Sequence, residues 1–172
     1  MTGPVFVDTN VFLYARDPSE PSKQQRALEW LAYLWRENLG RTSAQVLSEY
    51  YVNLTRKLST RIAPEQAWEE VRLLFAWHPQ PVDEAVMHGA REIEQRYRLG
   101  WWDSMVVGAA RLQGCALLLT EDLQDGAELG GVTVRNPFTL AVEEGRALYR
   151  AAPAVQRHRS RGRPRGRPRK SR

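Results

Sequence analysis

The chain alternates short apolar runs with longer stretches whose apolar residues recur every three or four positions. Val5-Phe6-Val7 is a β-branched and aromatic run that stops at Asp8, which predicts a buried strand opening the domain. Residues 11–15 have room for a short helical turn before Asp17-Pro18. Over 23–37, apolar residues at 27, 28, 31, 34 and 35 have helical spacing, and Gly40 marks the stop. A short strand or connector is expected at 41–43 and a helix at 44–58. Pro64 suits the first turn of a third helix reaching toward Trp77, with a buried stripe at 67, 71, 74 and 75. Pro79 and Pro81 bracket an extended piece. The spacing then predicts a helix over 83–97 with Val86, Ala90, Ile93 and Tyr97 on one face, ended by Gly100, and another over 102–112. Residues 116–120 and 132–134 read as strands, and 139–150 as a closing helix.

These strands lack the period-2 alternation of an exposed antiparallel sheet, and amphipathic helices separate them. The pattern predicts an α/β sandwich around a mainly parallel sheet of about four or five short strands. Sites in such sheets lie outside the carboxyl ends of the strands. With 172 residues, 42% of them hydrophobic and six of them Trp, the chain suffices for one domain with its own core. Trp30, Trp35, Trp68 and Tyr97 fall on apolar helix stripes and are expected in that core. The lone Cys115 lies in an apolar run and reads as a small buried hydrophobe. No segment approaches the roughly 20 apolar residues of a membrane span. The expected setting is soluble and cytoplasmic.

Charge divides the chain in two. Residues 1–149 carry 15 Lys/Arg against 20 Asp/Glu, whereas 150–172 carry 10 Lys/Arg and no acid. The expected organisation is a folded domain over 1–150 and a basic tail over 151–172, low in complexity and disordered on its own. A basic tail on an acidic body points to a polyanionic partner, first of all nucleic acid. Within the tail, Arg161, Arg163, Arg165 and Arg167 stand in two Arg-Gly-Arg-Pro repeats, and Arg169 and Lys170 follow them as further candidate nucleic-acid contacts. The repeats resemble the AT-hook that lies in a narrow minor groove. A generic polycation that binds any nucleic acid is the competing reading.

Four acids stand at informative places: Asp8 after the first strand, Glu49 in the helix after Thr42-Ser43, Asp103 at a helix start and Asp122 after the 116–120 run. Singly, each has an ordinary role: a turn for Asp8, a first-turn acid for Asp103, a solvated helix position for Glu49, a loop for Asp122. Together, strand ends and helix starts on one sheet edge bring them toward one point. Crowded carboxylates stay ionised only with a cation among them. Hard oxygen donors, with His78, His88 and His158 scattered, favour Mg2+ or Mn2+ over zinc.

The run Val5-Phe6-Val7-Asp8-Thr9-Asn10, then Ser48-Glu49-Tyr50, Trp102-Asp103-Ser104 and the stretch from Leu119 to Gly126 resemble, in order and spacing, the PIN-domain family. The likeness is greatest to the VapC-like toxin ribonucleases of toxin–antitoxin pairs. The resemblance covers residues 4 to about 145 and excludes the tail. It implies a PIN-like α/β/α sandwich and a metal-dependent endoribonuclease that hydrolyses RNA phosphodiester bonds. Asp8, Glu49, Asp103 and Asp122 would form the acidic site, with Asp8 and Asp103 the most direct metal ligands. Asn10 and Thr120, and less directly Asp125, would support it. An antitoxin partner and homodimerisation are also implied. Two other readings stand beside it. A phosphoryl-transfer or receiver domain also places an Asp at a strand end, but Lys23 and Lys57 do not follow predicted strands. A non-catalytic nucleic-acid-binding protein would act through the tail.

Overall fold

The structure, a computed structural model, describes residues 3–57 and 61–151. Five strands form one sheet in the order β2-β1-β3-β5-β4, with β1 Val5–Val7, β2 Gly40–Arg41, β3 Leu117–Leu119, β4 Glu128–Leu129 and β5 Val132–Arg135. The pairs β1–β2, β1–β3 and β3–β5 are parallel, and only the short β4 runs antiparallel to β5. Seven α-helices are described: α1 Thr9–Tyr14, α2 Pro21–Arg36, α3 Ala44–Val52, α4 Pro64–Leu74, α5 Glu84–Tyr97, α6 Trp101–Leu112 and α7 Val142–Ala151.

Every residue of β1 and of β3 is buried. Successive strand side chains point to opposite faces, so both faces of the sheet centre are covered. This is the expected α/β/α arrangement. The chain leaves β1 for β2 on one side and later returns to β3 on the other. The strand order therefore reverses at β1, where parallel sheets open a crevice at the carboxyl ends. Asp8 and Thr120 are the residues that follow β1 and β3.

Helix ends differ from the expectations in instructive ways. Pro21 and Pro64 each open a helix, α2 and α4, where the missing N–H costs nothing. Gly100 does not end α5; Arg98 does, in the left-handed conformation, and Gly100 is instead the N-cap of α6. Gly40 likewise begins β2 rather than closing α2, and a Cβ there would overlap the Trp77 ring. The helix expected over 44–58 is α only to Val52 and continues as a π-helical turn over Asn53–Lys57. Around Gln80, the extended piece pairs with the residues after β2. Gln80 N donates to Thr42 O (3.0 Å) and Ala44 N to Gln80 O (2.9 Å).

The core holds Trp30, at 1% exposure, and Trp77. Trp35 and Trp68 contradict their expected burial: they are 44% and 50% exposed. Each ring does pack, Trp35 against the buried Trp77 (ring centroids 5.2 Å apart) and Trp68 against the half-exposed Phe75 (5.9 Å), but a large part of its surface stays in solvent. Tyr97 is partly buried and its hydroxyl accepts from Gly130 N (2.9 Å). Cys115 is buried and unpaired, and burial pushes its thiol up to about 12. Among the described residues, no helix is long and apolar enough to cross a membrane.

Candidate active site

Asp8 is held by the ends of two strands and the start of a helix. Its backbone N donates to Leu119 O (3.1 Å), which ties the residue after β1 to the last residue of β3. In extended conformation it caps α1, with Oδ1 accepting from Thr9 N (2.7 Å) and Oδ2 from Thr120 Oγ1 (2.8 Å). The turn role open to Asp8 in the sequence and its place among the acids are therefore compatible.

Thr120 is fully buried and organises one flank. Its Oγ1 donates to Asp8 and accepts from Asn10 Nδ2 (2.8 Å) and from Asp122 N (3.1 Å). Asn10 Nδ2 also donates to Asp122 Oδ2 (3.0 Å). A single hydroxyl thus fixes Asp8, Asn10 and the Asp122 loop. On the other flank, Thr9 Oγ1 donates to Glu49 Oε2 (3.1 Å), and Gln45 Nε2, one turn earlier on α3, donates to Glu49 Oε1 (3.0 Å) and to Trp102 O (3.4 Å). Through Gln45 the start of α6, which carries Asp103 in its first turn, is tied to α3.

The electrostatics show that these carboxylates share one field. Burial pushes the Asp8 carboxyl up to about 6; the Thr120 and Thr9 hydrogen bonds oppose this, and the charges of Asp122 and Glu49 add to it. Asp103 is also raised above the ordinary carboxylate range, by burial and then by Asp122 and Glu49. The two acids answer to the same two neighbours.

Asp125 stands apart. Its Oδ1 accepts from Asn136 N (2.8 Å) and from Arg135 Nε (2.9 Å), and chiefly the Asn136 N–H holds its carboxyl below the ordinary range. It braces the loop that ends at Gly126, whose φ of 80° suits glycine. Thr9 and Gln45 were not singled out in the sequence. The available signals were the position of Thr9 between Asp8 and Asn10, and that of Gln45 four residues before Glu49, on the same helix face. Arg161, Arg163, Arg165, Arg167, Arg169 and Lys170 lie outside the described residues.

The donors fit a hard divalent cation. All are oxygens, the two more buried acids resist ionisation as they stand, and Asn10 Oδ1 is buried beside them without a hydrogen-bond partner. Among the described residues, no three Asp, Glu, His or Cys side chains close around one point at ligand distance. A small hydrated ion held by one or two carboxylates, with water completing its shell, matches that spacing.

The family model for the PIN domain matches residues 5–124, a span that contains Asp8, Glu49, Asp103 and Asp122 and stops short of Asp125. No curated protein matches the chain. Among solved structures, a chain of a toxin–antitoxin complex from Klebsiella pneumoniae is similar, with a TM-score of 0.57 and 18% identity, over 77% of this chain and 97% of that one. A chain of VapBC2 from Rickettsia felis, solved bound to a DNA fragment from its promoter, is similar with a TM-score of 0.56 and 16% identity, over the same shares of 77% and 97%. The likeness in fold agrees with the family match over most of the folded region, and the chain belongs to the PIN domain family.

Proposed function

We propose that the chain is a divalent-metal-dependent endoribonuclease and the toxin of a toxin–antitoxin pair. The observation that carries the reading is the set Asp8, Glu49 and Asp122 at the carboxyl edge of the sheet, linked by Thr9, Asn10 and Thr120, with Asp103 beside it on the helix start that Gln45 ties to α3. Left to themselves these acids would repel an RNA phosphate. A bound Mg2+ or Mn2+ supplies the positive charge that reverses the sign of the pocket, orients the phosphodiester and makes water a better nucleophile.

Asp8 and Asp103 are the residues to hold that ion. Thr120 and the Thr9 N–H fix the Asp8 carboxylate in one rotamer, so little ordering is left for binding. Glu49 keeps free lone pairs after accepting from Thr9 and Gln45, and these suit it to receive a proton from an attacking water. Asp122, exposed and anchored by Asn10, completes the rim. Hydrolysis by water would leave a 5′-phosphate and a 3′-hydroxyl. A protein antitoxin as partner is supported by the fold likeness to chains whose structures are described as a toxin–antitoxin complex and as VapBC2.

The test is cleavage of single-stranded RNA by the purified chain in Mg2+. Wild type cleaves, EDTA stops it, and Asp8→Asn is inactive with an unchanged circular dichroism spectrum. Cleavage that persists in EDTA or in Asp8→Asn would refute the reading. Induction of the wild-type gene should arrest growth, and induction of Asp8→Asn should not.

A further inference from the structure

Beside the acids lies a cavity of about 510 Å3 between α3 and the start of α6. Glu49 stands on its rim, so it opens into the candidate active site. Val52, Val82 and the buried Met105 give it apolar walls, and Ser48 and Asn53 give it polar edges. Trp102 is 64% exposed, the highest figure among the exposed large hydrophobic residues of the described structure. Its ring is not left loose by a loose backbone. The Trp102 carbonyl accepts from the buried Gln45 amide, and the residue lies in the first turn of a helix. An exposed indole on a fixed backbone, one residue before Asp103, is a costly arrangement for packing and a suitable one for stacking.

We propose that this cavity is a nucleobase subsite in which the Trp102 indole stacks on an unpaired RNA base next to the phosphodiester at the acidic site. The inference rests on the proposed ribonuclease reading for the class of ligand. Its volume falls within the range of small-ligand pockets. Every base has a π-face, and stacking on an aromatic side chain carries affinity with little dependence on sequence. The neighbouring Ser48 hydroxyl and Asn53 amide supply hydrogen-bonding edges for a preference among bases. Ser48 Oγ donates to Ala44 O and retains its acceptor capacity; Asn53 Nδ2 donates to Glu49 O and leaves its oxygen free to accept. Continuity with the acids favours RNA over a protein side chain as occupant, because Glu49 belongs both to the cavity wall and to the candidate site.

The experiment compares two fluorescein-labelled probes of equal length, a single-stranded RNA and an abasic phosphodiester oligomer, by anisotropy. The full chain is used with Ca2+ in place of Mg2+. The ratio of the two affinities cancels the phosphate attraction of the basic tail. Wild type should favour the base-bearing probe by tenfold or more, Trp102→Ala should bring the ratio near one, and Trp102→Phe should keep most of it. Circular dichroism of the variants checks that they fold. A ratio unchanged in Trp102→Ala, or already near one in wild type, overturns the subsite. A dimer that Trp102→Ala splits, with the ratio unchanged, overturns it in favour of a second copy of the chain at this face. Cleavage is not the readout, so a wild type that cleaves RNA but shows no Trp102-dependent ratio refutes the subsite alone. A wild type that shows the ratio but never cleaves refutes the nuclease reading alone.

Discussion

At the scale of single residues, the acids and the hydroxyls that hold them make opposite demands on stability. Burial pushes the Asp8 carboxyl up to about 6 in the fold, from an ordinary value of 3.8. The folded state thus prefers the protonated form. The stability linked to this preference is fully present below pH 3.8 and is lost as pH rises through about 6. Asp8→Asn has no such proton to lose. In EDTA, the variant should therefore gain on wild type by on the order of 2 kcal/mol between pH 4 and pH 7, measured by urea denaturation. Parallel pH profiles would show that Asp8 ionises at no cost. Thr120→Val tests the hydroxyl. It keeps the volume of a fully buried residue but removes the donor to Asp8 and the acceptor for Asp122 N and Asn10. Leaving such groups unpaired costs about 1–3 kcal/mol. The expected outcome is a lower urea midpoint together with a large loss of RNA cleavage. A stable variant with full activity would remove Thr120 from the account.

At the scale of elements, α6 sets the position of Asp103, and its seating depends on a close crossing with α5. A Cβ on Gly108 would meet Ala90 N at 3.1 Å and Val86 O at 3.3 Å, both backbone atoms of α5 that cannot move aside. Gly108→Val should therefore destabilise the fold by about 1–3 kcal/mol and reduce cleavage more than it reduces stability at the assay temperature, because it tilts the helix that bears Asp103. Thermal melts and initial rates measured side by side check this. The same scale shows what the chain made legible. Val5-Phe6-Val7 and the 116–120 run were readable as strands because a buried parallel strand is apolar throughout, and Asp8 followed from the point where the first run stops. The pair Glu128–Leu129 was not, since two residues next to Gly130-Gly131 carry no periodicity. Trp35 and Trp68 were misplaced because a stripe shows which face is apolar and not how far the neighbour covers it. Spacing along the chain was enough to nominate the acids as a set of candidates. Thr9 was not legible, since its partner Glu49 comes within reach only when α3 is placed against α1; Gln45 had its spacing to Glu49 as a signal, but its tie to Trp102 O needs α6 in place.

At the scale of the whole molecule, the chain joins an acidic folded body to a strongly basic segment, with a net charge of +5 that neither part has. Phosphate contacts by such a segment depend steeply on salt. Removing residues 151–172 should leave the cleavage rate of the body at saturating RNA nearly unchanged. It should weaken nucleic-acid binding and flatten its salt dependence, as measured by anisotropy titrations at several salt concentrations. Loss of cleavage on truncation would make the segment part of the enzyme.

The central claim is that carboxylates from separate elements act as one site. The direct measurement is kcat/KM for RNA cleavage in Asp8→Asn, Asp103→Asn and the double variant. Residues that hold one ion work as a unit, so each single change should remove nearly as much activity as both together. Losses that multiply, with each variant retaining its own share, would show two independent groups and contradict the account.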